Sequence, residues 1–174
     1  MSREPDLTPD ATLPDTVFAC FAGSAARHAA RPFLHILPET ARCYGIEAGI
    51  IGYGDALRQV AALVERYRAA GYGHGHRAGL MLENRPAFFL HWLALNALGV
   101  SLVPINTEMR AAELDYLLTH SELCLAVVLP ERAASLRAAA DAARREVVIV
   151  GPGADEALPP APFPAPLPGQ PGIG

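Results

Sequence analysis

The chain has 174 residues, of which 51% are hydrophobic and 18% are charged, and its formal net charge at pH 7 is −4. This length and composition predict a single globular domain with a sizeable core and exclude a disordered chain. Because the charge balance is acidic, the sequence offers no basic field for a phosphate backbone, and we expect no nucleic-acid partner.

The first 14 residues, MSREPDLTPDATLP, combine acidic groups with prolines and contain no apolar stretch. This composition indicates a flexible lead-in over residues 1–14 and excludes a secretory signal peptide. Thr16, or Asp15, can cap a helix over residues 17–30. The inward positions of this helix are Val17, Phe18, Phe21 and Ala25. Pro32 ends the helix, because the residue before a proline is held away from helical angles.

Two strand signals and a strong helix signal follow. Residues 33–37 have strand length, and residues 41–53, with three glycines, return as the second strand of a hairpin or as a loose loop. Residues 55–70 form the clearest helix, since apolar residues recur at three- and four-residue steps. Its inward positions are Leu57, Val60, Ala61, Val64 and Tyr67 or Arg68. Gly71 stands where a left-handed C-cap is needed, and residues 77–82 are predicted as a strand.

Residues 86–106, PAFFLHWLALNALGVSLVPIN, contain no Asp, Glu, Lys or Arg. The run is long enough to cross a bilayer as one helix. However, the polar residues His91 and Asn96 lie in its middle, and no cationic cluster marks a cytoplasmic side. We therefore predict that this run is buried inside a protein core and that the chain has no transmembrane segment.

The uncharged run divides at Gly99, which stands where a helix C-cap is expected. A helix over residues 85–98 can be capped by Asn84, and Pro86 is tolerated in its first turn. The residues after the glycine are rich in β-branched side chains, which favour a strand over residues 100–105. A buried parallel strand is apolar on both faces, so the absence of charge is expected.

The alternation of helix and strand continues to residue 150. We predict a helix over residues 109–121, a strand over 123–129, a helix over 131–145 and a strand over 146–150. The inward positions of the first of these helices are Met109, Leu114, Leu117 and Leu118. Short joints between alternating elements imply right-handed crossovers. The sequence therefore predicts an α/β domain over residues 15–150, with a mainly parallel sheet and helices on both faces.

The composition changes at residue 151. Residues 151–174 contain eight of the 16 prolines and five of the 15 glycines. Such a composition is typical of linkers and extended tails. We interpret this stretch as a Pro/Gly-rich linker or tail without the means to pack a core.

Few residues carry a pattern that is typical of a site. His74 and His76 could supply two metal ligands, but no third ligand accompanies them, so a solvated loop is preferred. His91 and Asn96 could form a polar pair in a pocket, although helix-surface or satisfied core positions are preferred. The glycines at 71–75 end a helix and precede a strand, the reverse of a dinucleotide fingerprint. We predict no catalytic, cofactor-binding or metal-binding residue in this chain.

The three cysteines, Cys20, Cys43 and Cys124, are far apart and odd in number. This spacing indicates neither a disulfide framework nor a zinc site. Buried free thiols in a reducing compartment are the expected state. No serine stands in a G-x-S-x-G setting, which weakens a hydrolase interpretation.

Three segments occur in one order between residues 51 and 128: IGYGDALRQVAALVERYRAAGYGHGHRAGLMLENRP, LALNALGVSLVPIN and AAELDYLLTHSELCLAVV. Together they resemble the N-terminal part of the adenylate-forming (AMP-binding) superfamily, which includes the acyl-CoA synthetases. The Val-Pro-Ile-Asn sequence ending at Asn106 is similar to the acyl-CoA synthetase form, including the carnitine-CoA ligase type. The sequence departs from the superfamily pattern at Asp55, where Glu is usual, and at His76, where Asp is common.

This resemblance implies the chemistry of the superfamily. Its members activate a carboxylate with Mg²⁺-ATP, forming an acyl-adenylate and pyrophosphate, and usually pass the acyl group to a thiol such as coenzyme A. The superfamily's phosphate loop and its small C-terminal domain each contribute a lysine, whereas all 14 cationic side chains here are arginines. We therefore expect an N-terminal fragment of an ATP-dependent, AMP-forming acyl-CoA synthetase that is inactive by itself and holds no cofactor.

The resemblance also implies partners. The remainder of the synthetase would be the main partner, and the complete cytoplasmic enzyme would bind a carboxylic acid, ATP, Mg²⁺ and CoA. Apolar surface that the remainder would cover predicts self-association of the fragment. Two alternatives stay open: a non-catalytic α/β binding or assembly module derived from the same superfamily, and a small Rossmann-type nucleotide binder.

Overall fold

The structure, a computed structural model, describes residues 16–153 and 158–165. Within these residues, helices and strands alternate as the sequence predicts. Their bounds are α1 Val17–Arg27, β1 Pro32–Ile36, α2 Pro38–Tyr44, β2 Gly49–Gly52, α3 Tyr53–Ala69, β3 Arg77–Met81, α4 Pro86–Ala97, β4 Ser101–Pro104, α5 Ala111–Ser121, β5 Leu125–Val128, α6 Pro130–Ala142 and β6 Val148–Val150.

The central sheet is parallel, and its strand order is β4-β3-β5-β6. β3 pairs with β4 from Arg77, opposite Ser101, and with β5 from Ala78, opposite Leu125. β6 pairs with the other edge of β5, and β1 and β2 form a separate antiparallel pair. The predicted α/β fold with a mainly parallel sheet is confirmed.

Successive strand residues face opposite sides of the sheet, so the sheet separates two cores. Leu80 and Val127 face a core shared with α1, α3 and α4, which we call the α3/α4 core. Met81 and Val128 face the other way, into a core shared with α5 and α6, which we call the α5/α6 core. Helices therefore cover both faces, as predicted.

The uncharged run folds into the two predicted elements. α4 ends at Ala97, and the chain turns at Gly99, whose φ of 71° lies in the left-handed region that suits glycine. β4 follows and forms one edge of the sheet. Across residues 16–153 and 158–165, no helix has both the length and the apolar character to cross a membrane.

The region before α3 differs from the prediction. α1 ends at Arg27, three residues earlier than predicted, and Val17 at its start is 49% exposed. The second strand of the predicted hairpin is present, but the helix α2 precedes it. This helix forms because Pro38 occupies its first turn and Gly45 ends it in a left-handed conformation. The predicted cap is confirmed: Thr16 Oγ1 accepts from Ala19 N–H at 3.0 Å.

Two details of the middle helices also differ from the prediction. In α3, Ala61 is exposed, and Ala56 and Leu63 are buried in its place. The inward strip therefore begins at residue 56, and residues 60, 63 and 67 continue it at helical spacing. Asn84 does not cap α4, which begins at Pro86 without a side-chain cap, because a proline has no N–H that needs a partner.

Residues 158–165, which we call the strap, pack against the α3/α4 core through Leu158, Ala161 and Phe163. The expectation that the tail cannot pack a core is wrong for this part. Each of these inward residues directly precedes a proline, which holds its backbone extended. The lead-in over residues 1–14 and residues 154–157 and 166–174 of the tail lie outside the described residues.

Candidate functional site

The carboxyl ends of the parallel strands form the edge at which open α/β sheets bind ligands. The chain passes from β3 to β4 on one side and then returns to β5 on the other side of β3. This reversal opens a crevice between the loops that follow β3 and β5, starting at Leu82 and Leu129. The candidate site therefore lies at this edge.

Arg85 lies at this edge, and its side chain is 19% exposed. Its Nε lies 3.1 Å from Glu83 Oε2, and its Nη2 lies 3.7 Å from Glu131 Oε1. Its Nη1 donates to the carbonyl oxygen of Tyr44 at 2.8 Å, and its guanidinium lies 5.0 Å from the centre of the Tyr44 ring. Arg85 thus joins α2, the β3–α4 loop and α6, and two carboxylates balance its charge.

A groove of about 520 Å³ opens beside Arg85, between the β1–β2 hairpin and the carboxyl edge of the sheet. Ile51 and Pro86 contribute apolar walls, and Glu47 and Glu131 contribute carboxylates. A concave apolar surface with a few polar groups suits a small molecule. Because the two carboxylates outnumber the one guanidinium, the groove does not favour an anion.

The charges around Arg85 do not favour the phosphates of Mg²⁺-ATP. A triphosphate needs unbalanced positive charge and converging donors, whereas Arg85 is balanced by Glu83 and Glu131. In residues 16–153 and 158–165, no group of three or more His, Cys, Asp or Glu side chains could hold a metal ion. That this chain has no catalytic, cofactor-binding or metal-binding residue stays a prediction.

His91 on α4 is 3% exposed and belongs to a buried polar chain. Its Nε2 donates to the carbonyl oxygen of Pro152 at 3.2 Å, and its Nδ1 accepts from the Tyr67 hydroxyl at 2.7 Å. Burial lowers the pKa of His91 to about 4 and raises the pKa of Tyr67 above its usual value. His91 is therefore a hydrogen-bonded core histidine, one of the two positions preferred from the sequence. Asn96 lies apart from it, and its Oδ1 accepts from Phe18 N–H at 2.9 Å.

His76, just before β3, is fully buried, so the predicted solvated loop is wrong at this position. Its Nε2 donates to the carbonyl oxygen of Phe163 at 2.8 Å, and the two rings stack with centroids 4.5 Å apart. The strap contacts this side chain from a position 87 residues away, which is why the sequence around residue 76 alone did not indicate its burial. His74 is exposed and does not join His76 in any ligand cluster of the described residues.

The cysteines differ in exposure. Cys124, directly before β5, is buried, its Sγ donates to the carbonyl oxygen of Arg77 at 3.3 Å, and burial raises the pKa of its thiol. Cys20 and Cys43 are exposed, so the expectation of buried thiols is wrong for these two. Both lie on short helices at the surface, where only one face can pack.

The motif residues that carry the family resemblance make structural contacts. The Tyr53 ring lies 5.1 Å from the Phe33 ring and 5.9 Å from the Phe21 ring, centroid to centroid. Asn106 Oδ1 accepts from Glu108 N–H at 3.0 Å and closes the turn after β4. These motifs position the hairpin and the carboxyl edge.

Comparison with known proteins agrees with the fold and the motifs. A family model described as AMP-binding enzyme matches residues 21–168. The chain therefore belongs to the AMP-binding enzyme family, and the family resemblance seen in the sequence is confirmed.

Two relatives in this family are CoA ligases. Over 168 residues the chain is 29% identical to a sulfoacetate–CoA ligase from Cupriavidus necator. This match covers 91% of the chain and 31% of the ligase. Over 75 residues the chain is 28% identical to a crotonobetaine/carnitine–CoA ligase from Shigella flexneri. This match covers 43% of the chain and 15% of the ligase. The chain thus spans about a third or less of the length of these curated relatives.

Solved structures share the fold. The N-terminal domain of FACL13 from Mycobacterium tuberculosis has a TM-score of 0.66 at 19% identity, over 79% of this chain and 34% of that chain. Coronafacic acid ligase from Pectobacterium brasiliense has a TM-score of 0.66 at 16% identity, over 78% of this chain and 25% of that chain. Both likenesses support the α/β fold class.

Proposed function

We propose that this chain is the N-terminal α/β part of an ATP-dependent, AMP-forming acyl-CoA synthetase. In the complete enzyme, a carboxylic acid and ATP would give an acyl-adenylate and pyrophosphate, and CoA would then take the acyl group and release AMP. The observation that carries the proposal is the family match over residues 21–168, together with 29% identity over 168 residues to a CoA ligase.

In this proposal, the chain supplies scaffold and the rest of the synthetase, its main partner, supplies the chemistry. The arginine at the candidate edge, Arg85, already pairs with Glu83 and Glu131, and the sequence has no lysine to meet a phosphate. ATP, Mg²⁺, CoA and the carboxylic acid would therefore be bound in the complete enzyme. The 174 residues alone would be inactive.

We also propose that the complete enzyme works in the cytoplasm, in fatty acid or related acyl metabolism, because ATP and CoA are its cosubstrates. The isolated chain would self-associate, since large apolar side chains are exposed on several helices and strands. These side chains are Val17, Leu37, Ile50 and Tyr116, between 49% and 68% exposed. No nucleic-acid partner is proposed, in line with the net charge of −4.

The proposal is tested by carboxylate-dependent exchange of labelled pyrophosphate into ATP. The purified 174-residue chain, given Mg²⁺-ATP and a panel of carboxylates that includes sulfoacetate, should show only background exchange. A product extended through the coding sequence beyond Gly174 should show exchange and form acyl-CoA. Robust exchange by the 174-residue chain would refute its inactivity, and an inactive extended product would favour the non-catalytic module.

A further inference from the structure

Two buried histidines hold the chain that follows β6 against the α3/α4 core. His91 donates from Nε2 to the carbonyl oxygen of Pro152 at 3.2 Å, near the start of this segment. His76 donates from Nε2 to the carbonyl oxygen of Phe163 at 2.8 Å, in the strap. A carbonyl oxygen can only accept, so both imidazoles carry a proton on Nε2.

The contact at His76 is the more completely enclosed of the two. The rings of His76 and Phe163 stack with an interplanar angle of 19°, and His76 is fully buried. Two residues earlier, Ala161 N–H donates to the carbonyl oxygen of Ala70 at 2.7 Å. The strap and the His76 side chain therefore cover each other.

The sequence of the strap explains why it needs a side-chain donor. Leu158, Ala161, Phe163 and Ala165 each precede a proline, which favours an extended backbone before any contact forms. The prolines have no N–H, so the strap cannot join a sheet through a regular ladder. A donor aimed at a strap carbonyl therefore adds a second attachment to the hydrogen bond that Ala161 N–H makes with Ala70.

We propose that His76 is the positioning residue of the strap. Its Nε2–H fixes Phe163 and thereby the position of residues 158–165 on the α3/α4 core. When this donor is removed, the strap leaves the α3/α4 core as a local unit while the sheet and helices stay folded. The functional part of this inference rests on the proposed synthetase, because in that enzyme the strap would set where the downstream residues begin.

The first test compares His76→Leu with His76→Gln in the 174-residue chain by amide hydrogen exchange. The glutamine amide nitrogen can take the place of Nε2 and donate to Phe163, whereas leucine cannot. In His76→Leu the Ala161 amide should exchange about tenfold faster, as for the loss of one net hydrogen bond. In His76→Gln the rate should stay within about threefold of the unmodified chain, and the Leu118 amide in α5 should be unchanged in both variants.

Any of three results would overturn the proposal. If His76→Gln and His76→Leu accelerate Ala161 equally, the donor is not what holds the strap. If Ala161 and Leu118 accelerate together, or His76→Leu fails to fold, the strap is not a local unit.

A second measurement needs no variant. In the unmodified chain, exchange of the Ala161 amide should be independent of low urea concentrations, because it opens locally, whereas exchange of Leu118 should rise with urea. If the Ala161 amide exchanges only through the urea-dependent global unfolding of the chain, the strap does not open separately.

The functional part is tested in the extended product that shows pyrophosphate exchange. His76→Leu should lower kcat/KM for adenylation at least about tenfold, and His76→Gln should restore it to within about threefold. Unchanged activity with a released strap would show that strap position does not matter to the reaction. The amide-exchange results need no activity, so failure of the synthetase proposal would leave them standing.

Discussion

The two cores on either side of the sheet are built differently. The α3/α4 core contains polar groups with matched partners, such as the Tyr67–His91 pair, and the strap closes part of its outer surface. The α5/α6 core is packed from apolar residues, among them Met81, Leu118 and Leu136, and polar side-chain contacts on this side, such as the Arg132–Glu108 pair, are exposed. The α3/α4 core thus differs by having a hydrogen-bonded side-chain pair in its interior.

The outer surfaces of the two sides differ as well. On the α5/α6 side, a groove of about 640 Å³ runs along α5, lined by apolar residues that include Met109, Tyr116 and Leu117. Tyr116 is 68% exposed, the largest exposed fraction among the large hydrophobic residues of the described chain. Among the described residues, the strap thus covers part of one side, whereas α5 carries an open apolar groove on the other.

The largest effect is expected from cavities made in each core. Leu95→Ala in the α3/α4 core and Leu118→Ala in the α5/α6 core each remove a side chain that is 1% exposed or less. Each should lower the free energy of unfolding by about 3 kcal/mol, from lost burial and the remaining cavity. Urea unfolding of the purified chain measures both, with Leu37→Ala, at a 49% exposed position, as the control. A cost close to that of the control in either core would show that this core is not tightly packed.

The next effect is a loss of folding stability at acidic pH, which we expect to arise from the α3/α4 core. Burial lowers the pKa of His91 from 6.5 to about 4, so the unfolded chain binds a proton that the folded chain excludes. His91 therefore does not lower the free energy of unfolding above pH 6.5. As the pH falls from 6.5 towards 4, proton binding to the unfolded chain lowers this free energy by about 3 kcal/mol at most. His91→Gln, which cannot titrate but can still donate to Pro152, should remove this part of the pH dependence measured by urea unfolding. A variant whose pH dependence matches the unmodified chain would exclude His91 as the source.

The smallest effect on stability is expected from a substitution in the α5 groove, where self-association of the chain is the quantity that should change. Tyr116→Ser should change the free energy of unfolding by less than about 0.5 kcal/mol and should lower the average mass in sedimentation velocity. Ile50→Ser, at a position 59% exposed on the hairpin, is the matched comparison and should lower the mass less, because Ile50 lies outside the α5 groove. Equal shifts in both variants would show that α5 is not the main site of association.

Much of the fold follows from local sequence signals. The division of the uncharged run into α4 and β4 was predictable, because Gly99 lies between a helix-favouring and a β-branched segment. The helix α2 was missed, although Pro38 and Gly45 are start and stop signals that could have indicated it. A hairpin was expected there, and seven helical residues within its loop leave the strand pairing unchanged.

The strap and the candidate edge were harder to predict. Proline-rich composition is typical of linkers, and only the placement of Leu158, Ala161 and Phe163 directly before prolines indicated an extended segment with an inward side. The contacts of Arg85 with Tyr44 join residues 41 positions apart, which no local pattern specifies. Long-range polar contacts of this kind depend on how whole elements pack.

Because the three thiols differ in exposure, their reactivity reports on the conformation of the chain. Cys20 and Cys43 are open to a thiol reagent in the folded chain, whereas Cys124 is buried directly before β5 and its thiolate form is suppressed by burial. The number of sulfur atoms modified by a colorimetric reagent therefore distinguishes an intact sheet from an opened one. Opening of the sheet at β5 would raise that number from two to three.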